Sequence, residues 1–217
     1  MGHHRFVYLF LLSYVSCLIC SPSSPSSVTA KNVSLSLYYE TLCPYSADLI
    51  VNGFSKIFDN GLIDIVDLKL VPYGNTRVGS DGSMTCLHGP YECLLNTVEA
   101  CVLHSWPDLT THFTFIHCVE SLALEGKQRG WDSCFKETGM ESTPILDCVG
   151  SGLGAKLELQ FAAETNALEP PQEYVPWVVV DGQPLYWANN CTHYVRLCKL
   201  HYIRLQGTQR CCSAEAM

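Results

Sequence analysis

Apolar and polar residues alternate along Val33-Ser34-Leu35-Ser36-Leu37-Tyr38-Tyr39, which predicts a strand with Val33, Leu35, Leu37 and Tyr39 on one face. Leu49, Ile50, Phe54, Ile57 and Phe58 then recur at helical spacing, so a helix is expected from Pro44 to about Asp59, stopped by Asn60-Gly61. Asp64 to Val71 is apolar enough for a second strand, ended by Pro72-Tyr73-Gly74-Asn75. Strand, helix and strand with short joints predict a right-handed βαβ unit with parallel strands. Gly79 to Ser83 predicts a loop.

From Cys86 to about Cys148 the pattern turns helical and cysteine-rich. One helix is expected over Pro90–His104, ended near Trp106-Pro107. A second runs from Asp108, as its cap, to Leu124, with Phe113, Ile116, His117 and Leu124 on or near its apolar side. Shorter pieces cover Trp131–Thr138 and Pro144–Val149, and Leu153–Ala167 is a further helix. Tyr174 to Gly182 reads as a buried-type strand running into an Asp-Gly hairpin turn, with Pro184–Trp187 as its partner and Thr192 to about Leu205 as a terminal helix. Setting residues 84–150 aside as an insertion leaves strand, helix, strand, helix, strand, strand, helix. That is the thioredoxin-like order. The expected fold class is therefore α/β, a thioredoxin-like fold with a cysteine-rich helical insertion, over residues 33–205 with a tail at 206–217.

Composition adds a compartment. His3, His4 and Arg5 precede an apolar run, Phe6 to Ile19, that is short for a membrane span and about right for a secretory signal peptide over residues 1–20. An uncleaved signal anchor is the competing reading, disfavoured by the shortness of the run. Residues 21–32 read as a Ser/Pro-rich spacer. No other stretch could span a bilayer, so the protein is expected to be soluble after signal cleavage, without a membrane partner. The net charge of −8 argues against nucleic acid as a partner.

Of 13 cysteines, Cys17 and Cys20 lie in or beside the signal, which leaves eleven. In a secreted chain that density predicts disulfides, and an odd count leaves one thiol over. Asn32 and Asn190 head N-glycosylation sequons, which suit the same route.

Cys43 is the expected leftover thiol, because it sits where a strand ends and a helix begins. Free N–H groups and the positive end of the helix dipole favour an anion there, and the thiolate is the nucleophile. Pro44 fits a first helical turn, which needs no N–H. The competing reading is a structural cysteine that happens to precede a helix.

The run Cys86-Leu87-His88-Gly89-Pro90-Tyr91-Glu92-Cys93-Leu94-Leu95-Asn96-Thr97-Val98-Glu99-Ala100-Cys101 resembles the signature C-Q-H-G-x-x-E-C-x-x-N-x-x-x-x-C of the gamma-interferon-inducible lysosomal thiol reductases. Every fixed position matches except Leu87, which stands for Gln. The resemblance singles out Cys86, His88, Gly89, Glu92, Cys93, Asn96 and Cys101, and Val175-Pro176-Trp177 and the Cys43 turn are similar as well. It implies thiol-disulfide chemistry on protein disulfides and a lysosomal, vacuolar or extracellular location. It also implies that the Val175–Pro176 peptide is cis and faces Cys43, with Pro44, Tyr45, Val175 and Pro176 as substrate-binding residues.

This chain departs from the family's C-x-x-C by having Cys43-Pro44-Tyr45-Ser46. Ser46 cannot resolve a mixed disulfide, so an outside thiol must, either a small-thiol reductant or the substrate's own. The Ser46 hydroxyl is expected to donate to the Cys43 thiolate, or to be an ordinary first-turn residue. No cofactor and no metal are expected. Zinc on Cys86, His88, Cys93 and Cys101 is disfavoured by spacing and compartment. His88 reads more as a structural residue of the loop than as a proton carrier.

Three functions compete: a monothiol oxidoreductase or isomerase, which is favoured, a catalytically weak relative that binds disulfide-containing or unfolded clients, and a disulfide-rich scaffold. As for pairing, Cys191 and Cys198 would stand ~10 Å apart on one helix, beyond the ~7 Å a disulfide spans, so one of them is expected to pair with the Cys211-Cys212 tail. Cys86, Cys93 and Cys101 face the same limit if they share one helix.

Overall fold

The computed structural model describes residues 32–186. Strand β1, Val33–Tyr39, buries Val33, Leu35, Leu37 and Tyr39 as the alternation requires. A continuous helix α1 follows in three parts: Pro44–Asp48, a wider π-type segment Leu49–Phe54 that contains the weak helix formers Asn52 and Gly53, and Ser55–Asp59. The second strand begins later than expected. Leu62–Ile65 forms a 3-10 turn, and β2 is Val66–Pro72. The left-handed Gly61 starts that turn and takes up residues the apolar pattern assigned to the strand.

The predicted loop at 79–83 is the tip of a small hairpin that sequence reading missed, β3 Arg77–Val78 against β4 Met84–Thr85. Two-residue strands carry too little pattern to be seen. The helical block holds α2 Pro90–Ser105, α3 Leu109–Leu124, α4 Ser133–Thr138, α5 Thr143–Gly150 and α6 Leu153–Asn166, with a 3-10 turn at Gln128–Gly130. Asp108 caps α3 as expected, its carboxylate accepting the Thr111 N–H at 2.8 Å. The chain returns as β5 Trp177–Val180 and β6 Gln183–Leu185. Both Asp181 and Gly182 take positive φ in the expected turn.

The sheet order is β2-β1-β5-β6. β1 and β2 are parallel, pairing from Val33↔Val66 to Tyr39↔Pro72, while β5 runs antiparallel to both β1 and β6. One face of β1 packs with Ile50, Phe54, Phe113, Phe115 and Ile116 in the main core. On the other face Tyr38, Val71 and Trp177 pack with Phe161 of α6, where the Tyr38 hydroxyl donates to Glu164. This two-layered cover holds the end of β1, and hence Cys43, between helices.

Three disulfides tie the helical block: Cys86–Cys93, Cys101–Cys148 and Cys118–Cys134. The condition under which Cys86 and Cys93 could not pair, a shared helix, is not met. Cys86 lies before α2 rather than in it, which brings the two Cα atoms to 5.6 Å. The expected terminal helix, Trp187, Asn190, the Cys191, Cys198, Cys211 and Cys212 pairings, the signal peptide and most of the spacer lie outside the described residues.

Candidate active site

Cys43 is the N-cap of α1, in extended backbone conformation with Pro44 after it. Among the described cysteines it alone is free. Its Sγ is nearly buried and donates weakly to the Val175 carbonyl at 4.0 Å, across 132 residues of chain. The Val175–Pro176 peptide is cis, as is Glu169–Pro170, which sequence reading did not single out. Tyr45, two residues beyond Cys43, is exposed at 71%. Ser46, one turn into the helix, is wholly buried, and its hydroxyl has no hydrogen-bond partner among the described residues.

The Cys86–Cys101 run surrounds the residues just before the thiol. Gly89 has φ +94, a conformation side-chain-bearing residues avoid, and it turns the chain into Pro90 and α2. The turn lets the His88 backbone N–H reach Glu92 Oε1 at 3.2 Å, while the His88 Nδ1–H donates to Glu92 Oε2 at 2.5 Å. His88 Nδ1 also lies 3.5 Å from Glu40. Asn96, one turn further along α2, accepts the Thr41 N–H at 3.1 Å and donates to Thr76 at 3.4 Å. The Thr41 hydroxyl in turn donates to the Glu92 carbonyl at 3.5 Å.

Glu40 is buried and accepts the Asn75 N–H at 2.8 Å. Burial pushes its carboxyl above the usual range and Glu92 adds to this, while Asn75 and His88 pull the other way. A Cβ at Gly74 would lie 2.6 Å from Glu40, so only glycine lets this turn close on the carboxylate. Backbone and side chain of Glu40-Thr41 are thus held from three sides, which fixes where Cys43 emerges.

Glu40, His88 and Glu92 offer ligand atoms within 4.8 Å of one another. Each is already engaged in the bonds above, so the cluster works as a hydrogen-bonded clasp. Cys86, Cys93 and Cys101 are oxidised, which removes the thiolates a zinc site there would need. Sequence reading caught His88, Glu92 and Asn96 through the signature but missed their partners Glu40, Thr41, Asn75 and Thr76. It also missed a second group of acids. Glu99 and Glu120 are wholly buried, and the Tyr39 hydroxyl donates to Glu99 at 2.5 Å. A glutamate inside the apolar run Val98–Val102 and another directly after Phe115–Val119 were the available signal. Asn32 is half-buried at the edge of β1 and donates to Asp67 at 2.8 Å.

The family profile of gamma interferon inducible lysosomal thiol reductases matches residues 34–138. A gamma-interferon-responsive lysosomal thiol protein of Arabidopsis thaliana is 44% identical over 80% of this chain and 73% of its own length. The chain belongs to the gamma interferon inducible lysosomal thiol reductase family. The mouse gamma-interferon-inducible lysosomal thiol reductase is 35% identical over 82% of this chain and 70% of its own. That of Carassius auratus is 39% identical, over 71% of this chain and 61% of its own length.

In fold the chain is similar to Chlamydia trachomatis DsbA, with a TM-score of 0.58 at 13% identity over 85% of this chain and 91% of that one. It is also similar to Bacillus subtilis BdbD, with a TM-score of 0.57 at 14% identity over 77% and 86%. These are thioredoxin-like folds. Family and fold together make the chain a thiol-disulfide oxidoreductase in the general sense.

Proposed function

We propose that the protein is a lumenal or extracellular oxidoreductase that works on protein disulfides through one nucleophile, Cys43. The observation that carries this reading is the free thiol at a helix N-terminus with buried Ser46, not a second thiol, one turn away. The Cys43 thiolate attacks a substrate disulfide. A Cys43–substrate S–S bond forms, the substrate S–S bond breaks, and the departing sulfur takes a proton from solvent. A small thiol attacks the Cys43 sulfur of the adduct and frees the reduced substrate. A second small thiol then takes the first off Cys43 as a small disulfide, which completes a reduction. Attack by another substrate thiol on the substrate sulfur instead forms a new substrate S–S bond and frees Cys43, which completes an isomerisation.

Ser46 donates its otherwise unpartnered hydroxyl to the Cys43 thiolate. Pro44, Tyr45, Val175 and Pro176 receive the extended substrate segment beside the thiol, the Val175 carbonyl being already within reach of Sγ. The Cys86–Cys101 signature acts by holding Glu40-Thr41, with His88 as a structural residue. Residues 1–20 serve as signal peptide, 21–32 as spacer and 84–150 as the insertion. Asn32 and Asn190 carry glycans. The disulfides and the family's lysosomal members support a lysosomal, vacuolar or extracellular site of action.

The test is a pair of substitutions. Ser46→Cys should let the protein release a captured client with no added thiol, and Cys43→Ser should abolish capture. A Ser46→Cys protein that releases no faster than the parent contradicts the role given to this position. A catalytically weak client binder is the second reading. It is favoured by the same missing thiol, and it would show capture by Cys43 without turnover at any concentration of small thiol.

A further inference from the structure

Leu87 is 66% exposed and Tyr45 71%, while no other large apolar side chain among the described residues exceeds 50%. Surface apolar residues scattered singly need no explanation, but these two fall at one end of the sheet. β1 and β2 are parallel and end together at Tyr39↔Pro72, so the Glu40–Cys43 turn and the chain from Tyr73 onward leave from the same end. β5 is antiparallel to β1, so Val175-Pro176, just before Trp177, comes to that end as well. Tyr45 follows Cys43 by two residues. Leu87 is linked to the thiol by a short path. The next residue, His88, has its Nδ1 3.5 Å from Glu40, and the Glu40 carbonyl accepts the Cys43 N–H at 3.3 Å.

Leu87 also stands on a rigid support. Cys86-Leu87-His88-Gly89 is a turn closed by the Gly89 N–H, which donates to the Cys86 carbonyl at 3.1 Å and leaves Leu87 and His88 at the tip. The Cys86–Cys93 disulfide fastens the first residue of the turn to α2, and His88 is fastened to Glu92 through both its backbone N–H and its ring. A turn held in this way does not fold Leu87 back onto the core. The apolar surface of Leu87 stays in water until something else covers it, and the rigid support spares the entropy of ordering it on binding.

We propose that Leu87 is a specificity-determining residue, which with Tyr45 forms an apolar rim that selects disulfides whose cysteine has large apolar neighbours in the client chain. This rests on Cys43 being the nucleophile and goes beyond it by naming the class of client. Apolar side chains on either side of the client cysteine cover Leu87 and Tyr45 while Cys43 attacks. The rim acts on how well the client is held, not on the thiol itself.

Two synthetic peptides test this, each a mixed disulfide with thionitrobenzoate. In one, the cysteine has a leucine and a phenylalanine on each side; in the other, a serine and a glutamine. Attack of Cys43 on the peptide sulfur forms the Cys43–peptide bond and expels coloured thionitrobenzoate, whose release gives the rate once the rate of Cys43→Ser is subtracted. Dithiobis(nitrobenzoate), which carries no peptide, reports the thiol alone. The parent should prefer the apolar peptide about tenfold, the order expected for covering part of two apolar side chains. Leu87→Gln keeps the length of the side chain but not its apolar surface, and should lower that ratio about threefold by slowing the apolar peptide alone. Leu87→Met should keep the ratio. A parent that takes both peptides at one rate, or a Leu87→Gln protein that keeps the parent's ratio, overturns the proposal. So does a Leu87→Gln protein slowed alike on both peptides and on dithiobis(nitrobenzoate), because that is a turn disturbed and not a rim removed. A parent inert to dithiobis(nitrobenzoate) as well overturns the nucleophile reading itself, and the role of the rim with it.

Discussion

Asn96 shows how one side chain can set the position of a thiol it does not touch. Its carboxamide bridges the Thr41 N–H and the Thr76 hydroxyl in a fully buried place. Asn96→Ala leaves the Thr41 N–H without a partner, a loss of about 1–3 kcal/mol. Chemical denaturation should show that loss, and the alkylation rate of Cys43 should change with it, because the two residues before the thiol come loose. A variant that loses stability while Cys43 reacts as in the parent would mean the clamp serves the fold alone. Asn96 was legible in the sequence only because the signature spaces it from Glu92 and Cys93. Its partners were not, since the contact of Thr41 with Asn96 depends on how α2 is laid against the end of β1. Ser46 was legible as a departure from C-x-x-C, but its complete burial was not.

At the scale of elements, the periodic segments read well from sequence: β1, α1, the long helices α2, α3 and α6, and the Asp181-Gly182 hairpin all lie close to where the pattern placed them. The failures have physical causes. The 3-10 turn at Leu62–Ile65 carries the apolar residues of a strand, and the β3–β4 hairpin is too short to carry a pattern. Disulfide pairing was illegible because helical spacing says only which cysteines cannot meet, while Cys101–Cys148 and Cys118–Cys134 depend on how the helices pack.

The disulfides make a prediction that separates stability from activity. Cys101–Cys148 closes a loop of 47 residues and Cys86–Cys93 one of 7. By chain entropy their removal should cost about 4 and about 2.5 kcal/mol respectively. Cys101→Ser/Cys148→Ser should therefore lower the denaturation midpoint more. Cys86→Ser/Cys93→Ser should lower the Cys43 exchange rate more, because that bridge brackets His88 and Glu92. The opposite ranking in rate would detach the signature loop from the site.

For the molecule as a whole, buried acids tie stability to pH. Glu158 accepts from Thr97 at 2.7 Å, yet burial raises its carboxyl to about 7, and Glu99 stands at about 8. Folded-state values above the unfolded value of 4.5 mean that the folded protein binds the extra protons. Their stabilisation is complete below about 4.5 and is lost as pH rises through about 7 and 8. Buried His112 opposes them, since its lowered value disfavours the fold as pH falls below the ordinary 6.5. With four raised glutamates, Glu40, Glu99, Glu120 and Glu158, against one histidine, the melting temperature should be higher at pH 5 than at pH 8. Glu158→Gln should flatten part of that slope, a change on the order of 3 kcal/mol at most. Calorimetry across that range checks both, and a melting temperature that rises from pH 5 to pH 8 would contradict the sign.

The single-nucleophile mechanism is tested most directly by mass spectrometry of the protein mixed with a disulfide-bonded client, quenched in acid without added thiol. The mechanism predicts that a one-to-one adduct through Cys43 accumulates, persists, and disappears when a small thiol is supplied. Complete reduction of the client with no adduct at Cys43 would contradict it.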